Sequence, residues 1–225
     1  MILSPNLRLY LDTADTAEWQ TWLPTGLFYG VTCNPLLLEK AGVSCDVKTL
    51  RALTQQALRW GIQEVHLQAW GDSAASLVSV GQQLGGINRR VFVKLPATQA
   101  GTTAAKALIQ RGIPVTLTAV YAVHQVLIAA AIGASYVAPY LGRINDAGRD
   151  GRQALVAMQR SLTGVSSQTR ILLASIREIE DISALAQAGV NTFTFSSAIA
   201  QAFFDVPETL NATADFERAA KKMMP

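Results

Sequence analysis

Histidine and cysteine are nearly absent from this chain of 225 residues, which holds two of each. Cys33 and Cys45 form no CxxC pair, and with His66 and His124 they offer neither metal-ligand spacing nor a disulfide framework. Such sparse cysteine suits a reducing compartment, so a cytoplasmic protein is expected. Charge is scarce as well, at 16% of residues, and nearly balanced: 19 basic and 16 acidic side chains leave +3. The basic residues are scattered, with only short clusters at Arg89–Arg90, Arg149/Arg152 and Lys221–Lys222. Nucleic-acid binding needs a concentrated patch or a recognisable motif, and neither is present. A mildly positive molecule suits small phosphorylated anions instead. Mean hydropathy is +0.23, yet long apolar runs are missing. The most apolar stretch, VLIAAAIGASYVAPYL (126–141), is interrupted by Gly133, Ser135 and Pro139 and is too short for a membrane helix. The start, MILSPNLRLYLD, lacks a cationic segment followed by an apolar core and a small-residue cleavage site. A soluble, unprocessed protein without membrane or nucleic-acid partners is the expectation.

What the chain does have is apolar residues, half of the total, arranged as short strands alternating with helical stretches. The strands expected are 7–12, 29–34, 64–70, 91–96, 115–120, 135–140, 171–175 and 192–197. Helical spacing falls between them, as in 46–60, 102–111, 154–162 and 181–189. Gly61, Gly112, Gly133 and Gly189 each follow a helical stretch and precede a strand. About eight strand–helix units without a linker imply a parallel sheet with right-handed crossovers. Closed, this is an α/β protein of the (β/α)8 TIM-barrel class, one domain over 1–225, with an additional C-terminal helix at about 206–223. An open doubly wound sheet is the alternative. It would place a Gly-rich phosphate loop after the first strand, where the chain reads DTADTAEW.

In a closed barrel, chemistry sits where the strand C-termini meet. A polar residue stands at or near most of the expected strand ends: Asp12, Asn34, Gln68, Lys94, Thr118, Tyr140 and Ser175, with Arg143 in the loop after Tyr140. Several have an ordinary structural explanation. Asp12 would order the first turn beside an Asp15/Glu18 capping box, and Asn34 before Pro35 reads as a helix N-cap. Tyr140 would be a core aromatic, and Arg143 would pair with Asp146 on the surface. Lys94, in RVFVKLPATQAG, is different. A mid-strand lysine is seldom buried without cause, so it either pairs with Asp12 or serves as a reactive amine. Burial disfavours an ammonium and leaves an amine able to attack a ketone, and the resulting Schiff base is an electron sink for carbon–carbon cleavage. The metal-assisted route needs a His/Asp/Glu cluster. His66, two residues before Gln68, would line the barrel alone, and His124 sits in an Ala-rich helical stretch. No P-loop, nucleophile elbow or HExxH motif occurs.

With these residues assembled, the sequence resembles the transaldolase family, and within it the small fructose-6-phosphate aldolase branch. The resemblance runs nearly the whole chain through LYLDTAD (9–15), GVTCNPLLL (30–38), VFVKLPAT (91–98), GIPVTLTAVY (112–121), YVAPYLGRI (136–144) and LLASIRE (172–178). It implies a (β/α)8 barrel without cofactor or metal, acting on sugar phosphates and small ketones. It also implies Lys94 as the Schiff-base lysine, with Asp12 and Asn34 on the donor hydroxyls. Gln68, Thr118 and Tyr140 would hold water and relay protons, while Arg143 and Ser175 would bind phosphate. The reaction implied is cleavage of fructose 6-phosphate to dihydroxyacetone and glyceraldehyde 3-phosphate. The alternative is transaldolase transfer of the dihydroxyacetone unit between sugar phosphates, and a remoter one is a barrel that binds sugar phosphates without turnover. Transaldolases proper are expected to carry glutamate where this chain has Gln68, and many have phenylalanine in place of Tyr140. The amide and phenol here follow the aldolase pattern, whereas Leu141–Gly142 is nearer the transaldolase one. Family members often form rings through the C-terminal helix, so a homo-oligomer is expected.

Overall fold

The computed structural model describes residues 6–224; the first five residues, on which part of the reading of an unprocessed start rests, and Pro225 lie outside it. Eight strands pair in parallel: β1 (Arg8–Asp12), β2 (Gly30–Thr32), β3 (Glu64–Gln68), β4 (Val91–Pro96), β5 (Val115–Val120), β6 (Tyr136–Pro139), β7 (Arg170–Ile171) and β8 (Thr192–Phe195). The order β7-β6-β5-β4-β3-β2-β1-β8 follows the chain around a ring, and a bridge between Leu173 and Phe193 joins its ends. This is the expected (β/α)8 barrel, and the open doubly wound alternative falls with the closed ring. The C-terminal helix also forms, at Pro207–Met223. Among the described residues no helix is long and apolar enough to cross a membrane.

Local chemistry sets the element ends. Asp46 caps the helix Val47–Arg59 by accepting from the Thr49 amide, and Gly61 turns the chain back toward β3 with φ of 82°, a conformation that costs a residue with a Cβ. The expected strand 29–34 is cut to Gly30–Thr32 because Asn34 is consumed as the N-cap of Pro35–Lys40. The expected strand 171–175 forms as Arg170–Ile171 followed by isolated bridges at Leu173 and Ala174, and the extended run ends where Ser175 turns left-handed at φ 58°. The Asp15/Glu18 capping box is half made: Asp15 accepts from the Ala17 amide, and no reciprocal bond from Glu18 forms.

Strand alternation divides the molecule into two interiors. Odd-numbered strand residues such as Leu9, Leu11, Val65, Leu67, Val93 and Leu95 pack outward against helix residues such as Leu50, Leu53, Leu77, Leu84 and Leu108 in one apolar core. Each fully buried leucine adds about 1.5–3 kcal/mol of transfer free energy, so this layer between sheet and helices carries most of the fold's stability. Even-numbered residues share the other face and meet inside the barrel, where Tyr10, Tyr136, Ala138 and Leu172 form a separate cluster. The parity breaks in β5, where a register shift at Ala119 (φ 59°) turns Val120 into the outer core.

Candidate active site

The barrel interior is polar, and it is polar because its groups satisfy one another. Toward the strand starts, Glu64 accepts from Arg8 at 2.9 Å, Tyr10 at 2.6 Å and Tyr136 at 2.8 Å, with His66 Nε2 at 3.3 Å. Burial alone would raise the Glu64 carboxyl, but the bonds from His66, Tyr10 and Tyr136 outweigh it and hold it below its ordinary value. Burial moves the His66 imidazole down, only partly opposed by Glu64. Its Nδ1 meets the Thr116 hydroxyl at 2.9 Å, and its ring stacks on Phe92 at 4.9 Å. Thr116 neighbours Lys94 in the β4–β5 register, so this network reaches the layer beneath the lysine.

At the strand C-termini, Asp12, Asn34, Lys94, Tyr140, Arg143 and Ser175 line one cavity of about 170 Å³. Six of the eight residues singled out from sequence are thus brought together. Thr118 belongs to the same group: its hydroxyl and that of Tyr140 are 2.8 Å apart. Gln68 stands beside Lys94 in the β3–β4 register, half-buried, but does not line the cavity.

Lys94 is buried, with 4% of its surface exposed. Its Nζ donates to the Cys33 carbonyl at 3.2 Å, and among the described residues it makes no ion pair. The salt bridge to Asp12, the alternative to a reactive amine, is therefore not formed. Asp12 Oδ1 instead accepts from Thr32 at 2.5 Å, and Thr32 is joined to Thr194 at 2.6 Å. The carboxylate is oriented from below. Cys33 places its carbonyl at the lysine and its thiol in the outer core; burial pushes that thiol up to about 12, so it is no competing nucleophile near neutral pH.

Asn34 does two things at once. Its Oδ1 caps Pro35–Lys40 by accepting from the Leu36 and Leu37 amides at 3.0 and 3.1 Å, while the residue lines the cavity. The expected Arg143–Asp146 pair is replaced. Asp146 is held by Arg177 through contacts of 2.6 and 2.5 Å, which lower its carboxyl. Arg143 instead reaches the Tyr121 hydroxyl at 3.4 Å, lies 5.1 Å over the Tyr140 ring, and stays available at the cavity mouth. The left-handed Ser175 is fixed by contact with a glycine: its carbonyl accepts from the Gly142 amide at 2.8 Å, where an added Cβ would come within 2.6 Å. His124, expected within a helix, precedes one as the exposed N-cap of Gln125–Ile132. Among the described residues no three His, Cys, Asp or Glu side chains are grouped to hold a metal ion.

Sequence reasoning missed the Arg8–Glu64–Tyr10–Tyr136 network. Its signal was a polar residue at every second position of RLYLD and EVHLQ, on the face that also carries Asp12 and Gln68.

Comparison with known proteins agrees with this geometry. Residues 9–224 match the family described as Transaldolase/Fructose-6-phosphate aldolase. A probable transaldolase of Coprothermobacter proteolyticus is 31% identical over 198 residues, covering 88% of this chain and 89% of that protein. One of Thermus thermophilus is 31% identical over 211 residues (90% and 93%), and one of Phenylobacterium zucineum is 32% identical over 205 residues (90% and 91%). The solved thiamine phosphate pyrophosphorylase of Pyrococcus furiosus superposes with a TM-score of 0.61 over 86% of this chain and 87% of that one, at 16% identity, a likeness of fold alone. Sequence, barrel and buried lysine converge, and the chain belongs to the transaldolase/fructose-6-phosphate aldolase family, enzymes of the Schiff-base aldolase kind.

Proposed function

We propose that this protein is a Schiff-base aldolase that cleaves or forms fructose 6-phosphate, with Lys94 as the nucleophile. The observation that carries the reading is a buried lysine without an ion-pair partner among the described residues, opening onto a cavity of about 170 Å³ with Asp12, Asn34, Tyr140, Arg143 and Ser175. The amine adds to C2 of the ketose and loses water to give an iminium. As a base takes the C4 hydroxyl proton, the C3–C4 bonding pair flows toward the iminium nitrogen, glyceraldehyde 3-phosphate departs, and an enamine remains. Protonation at C3 and hydrolysis return dihydroxyacetone and the amine. Asp12 and the amide nitrogen of Asn34 bind the donor hydroxyls. Tyr140, paired with Thr118, handles the protons together with a water held near Gln68. Arg143 and Ser175 receive the phosphate, the guanidinium supplying a charge-assisted fork.

Borohydride trapping tests this. Wild type incubated with fructose 6-phosphate should gain the mass of one reduced dihydroxyacetone adduct and Lys94→Met should not; equal labelling of both ends the mechanism, and no labelling leaves a sugar-phosphate-binding barrel.

The transaldolase reading has its own support: relatives 31–32% identical are named probable transaldolase, and by the family resemblance Leu141–Gly142 is nearer the transaldolase pattern. Hydrolysis is favoured here because a phenol at Tyr140 can position the water that a phenyl ring cannot. Release of glyceraldehyde 3-phosphate from fructose 6-phosphate without acceptor supports the aldolase; strict dependence on erythrose 4-phosphate supports the transferase. The chain is also proposed to work as one cytoplasmic barrel domain in a homo-oligomer. The helix Pro207–Met223 has no buried residue and exposes Leu210 and Phe216, a surface suited to a second copy. A monomer mass in sedimentation would overturn that assembly.

A further inference from the structure

Thr32 and Thr194 do not line the lysine cavity, yet both are tied to one of its walls. Thr32 Oγ1 donates to Asp12 Oδ1 at 2.5 Å, and the Thr32 and Thr194 hydroxyls stand 2.6 Å apart. Asp12 lines the cavity, while the threonines are buried beneath it, at 1% and 2% exposure. The β1–β2 register pairs Asp12 with Thr32, and the β1–β8 register pairs Tyr10, one interior position lower, with Thr194. The carboxylate is thus held by a line of hydroxyls that runs from the strand on one side of β1 to the strand on the other.

Chemistry fixes the direction of the protons in this line. An ionised carboxylate only accepts, so Thr32 spends its single hydroxyl proton on Asp12. Thr32 is then an acceptor toward β8, and the bond at 2.6 Å is donated by Thr194. Donation from Thr194 polarises the Thr32 hydroxyl and strengthens its bond to the carboxylate. It also keeps Thr32 from turning, because without the Thr194 proton a buried oxygen would lack a donor. Among the described residues only Oδ1 of Asp12 takes a hydrogen bond, so pinning that oxygen sets where Oδ2 stands. Shape alone does not require a hydroxyl at 194. Valine matches threonine in outline and strand preference, and a buried hydroxyl is costly unless it is bonded.

We propose that Thr194 is a positioning residue, acting through Thr32 to fix the Asp12 carboxylate against the hydroxyls of the donor ketone. This assignment rests on the reading of Lys94 as the Schiff-base amine and of Asp12 as a group that binds the donor. It gives Thr194 a part in holding the ketone and none in holding the aldehyde.

The test follows the synthetic direction, dihydroxyacetone with glyceraldehyde 3-phosphate, in wild type, Thr194→Val and Thr194→Ser. Thr194→Val should raise the KM for dihydroxyacetone about fivefold or more, as expected for one buried hydrogen bond, and leave the KM for glyceraldehyde 3-phosphate within about twofold. Thr194→Ser keeps the hydroxyl and should bring the dihydroxyacetone KM back to within about twofold of wild type. Borohydride trapping with dihydroxyacetone alone should show the same shift in the concentration that half-saturates Lys94. A general loosening of the barrel would raise both KM values together, so an equal rise in both overturns the proposal. A dihydroxyacetone KM unchanged in Thr194→Val, or a serine variant that behaves as the valine one, overturns it too. Trapping tells this failure from failure of the reading beneath it. No adduct in wild type removes the Schiff-base reading and the positioning role with it; an adduct whose half-saturation Thr194→Val leaves unchanged removes the positioning role alone.

Discussion

Replacing Tyr140 by phenylalanine removes one oxygen and keeps the ring, which packs edge-on to Tyr121 at 5.7 Å and lies beneath Arg143 at 5.1 Å. What is lost is the contact between the Tyr140 and Thr118 hydroxyls at 2.8 Å. If that bond does no more than hold the ring, its net worth is about 1 kcal/mol, or roughly fivefold in rate. If the hydroxyl moves protons during cleavage and hydrolysis, the loss is about 10²–10⁴-fold. The two accounts are separated by more than tenfold, so a rate measurement decides between them. The assay is steady-state release of glyceraldehyde 3-phosphate from fructose 6-phosphate without acceptor. It is read beside borohydride trapping and thermal melting on the same preparation. We expect turnover to fall by about 10²-fold or more while the Lys94 adduct still forms. The melting midpoint should fall only about 2–4 °C, the equivalent of about 1 kcal/mol in a chain of this size. A turnover loss below about tenfold would refute the proton role. Loss of the adduct would instead place the hydroxyl in imine formation.

Three further outcomes follow from the same geometry. Glu64→Ala removes the acceptor shared by Arg8, Tyr10 and Tyr136 and leaves a partly buried guanidinium without its carboxylate, which should cost about 3–5 kcal/mol in urea unfolding; a loss under about 1 kcal/mol would mean the barrel floor contributes little. At Asn34 the two duties separate. Asn34→Ala should lose about 1 kcal/mol of helix capping and raise the KM for the ketose, whereas Asn34→Asp keeps the cap and should raise KM alone; equal destabilisation by both would contradict this division. Stability should also decline in acid. Burial holds the folded His66 below its ordinary 6.5, so the unfolded chain takes up the proton first as pH falls. Stability is then full above about pH 6.5 and is lost as pH drops through the folded value. Glu64, held below its ordinary 4.5, adds a second loss as pH drops further, through its folded value. A melting temperature that stays level from about pH 7 to pH 5 would show that His66 is not linked to folding, and one that stays level on to about pH 3 would show the same of Glu64.

Much of the architecture was legible in one dimension because its causes are local. Apolar residues at every second position, caps such as Asp46 and Asn34, and the helix-ending Gly61 act over a few residues each, and eight strand–helix repeats leave few topologies besides a barrel. The identity of the site residues was legible for the same reason: each lies in the C-terminal half of its own strand or just beyond it. Strand lengths were less so. Asn34 ended β2 early by taking a cap, and β7 gave way to isolated bridges at Leu173 and Ala174, which depend on partners far off in sequence.

Alternation, strand order and the choice of Lys94 were written in the amino-acid order, because each depends on period, propensity or the cost of a charge in an apolar run. Partnership was not. Only closure of the ring decided that Asp146 goes to Arg177 and leaves Arg143 at the cavity mouth, that Asp12 leans on Thr32 rather than on the lysine, and that Arg8, Glu64, Tyr10 and Tyr136 meet at all. Those pairs come from separate strands and helices, and a hydrogen bond needs two groups within about 3 Å, a distance set by the fold as a whole and by no single segment of it.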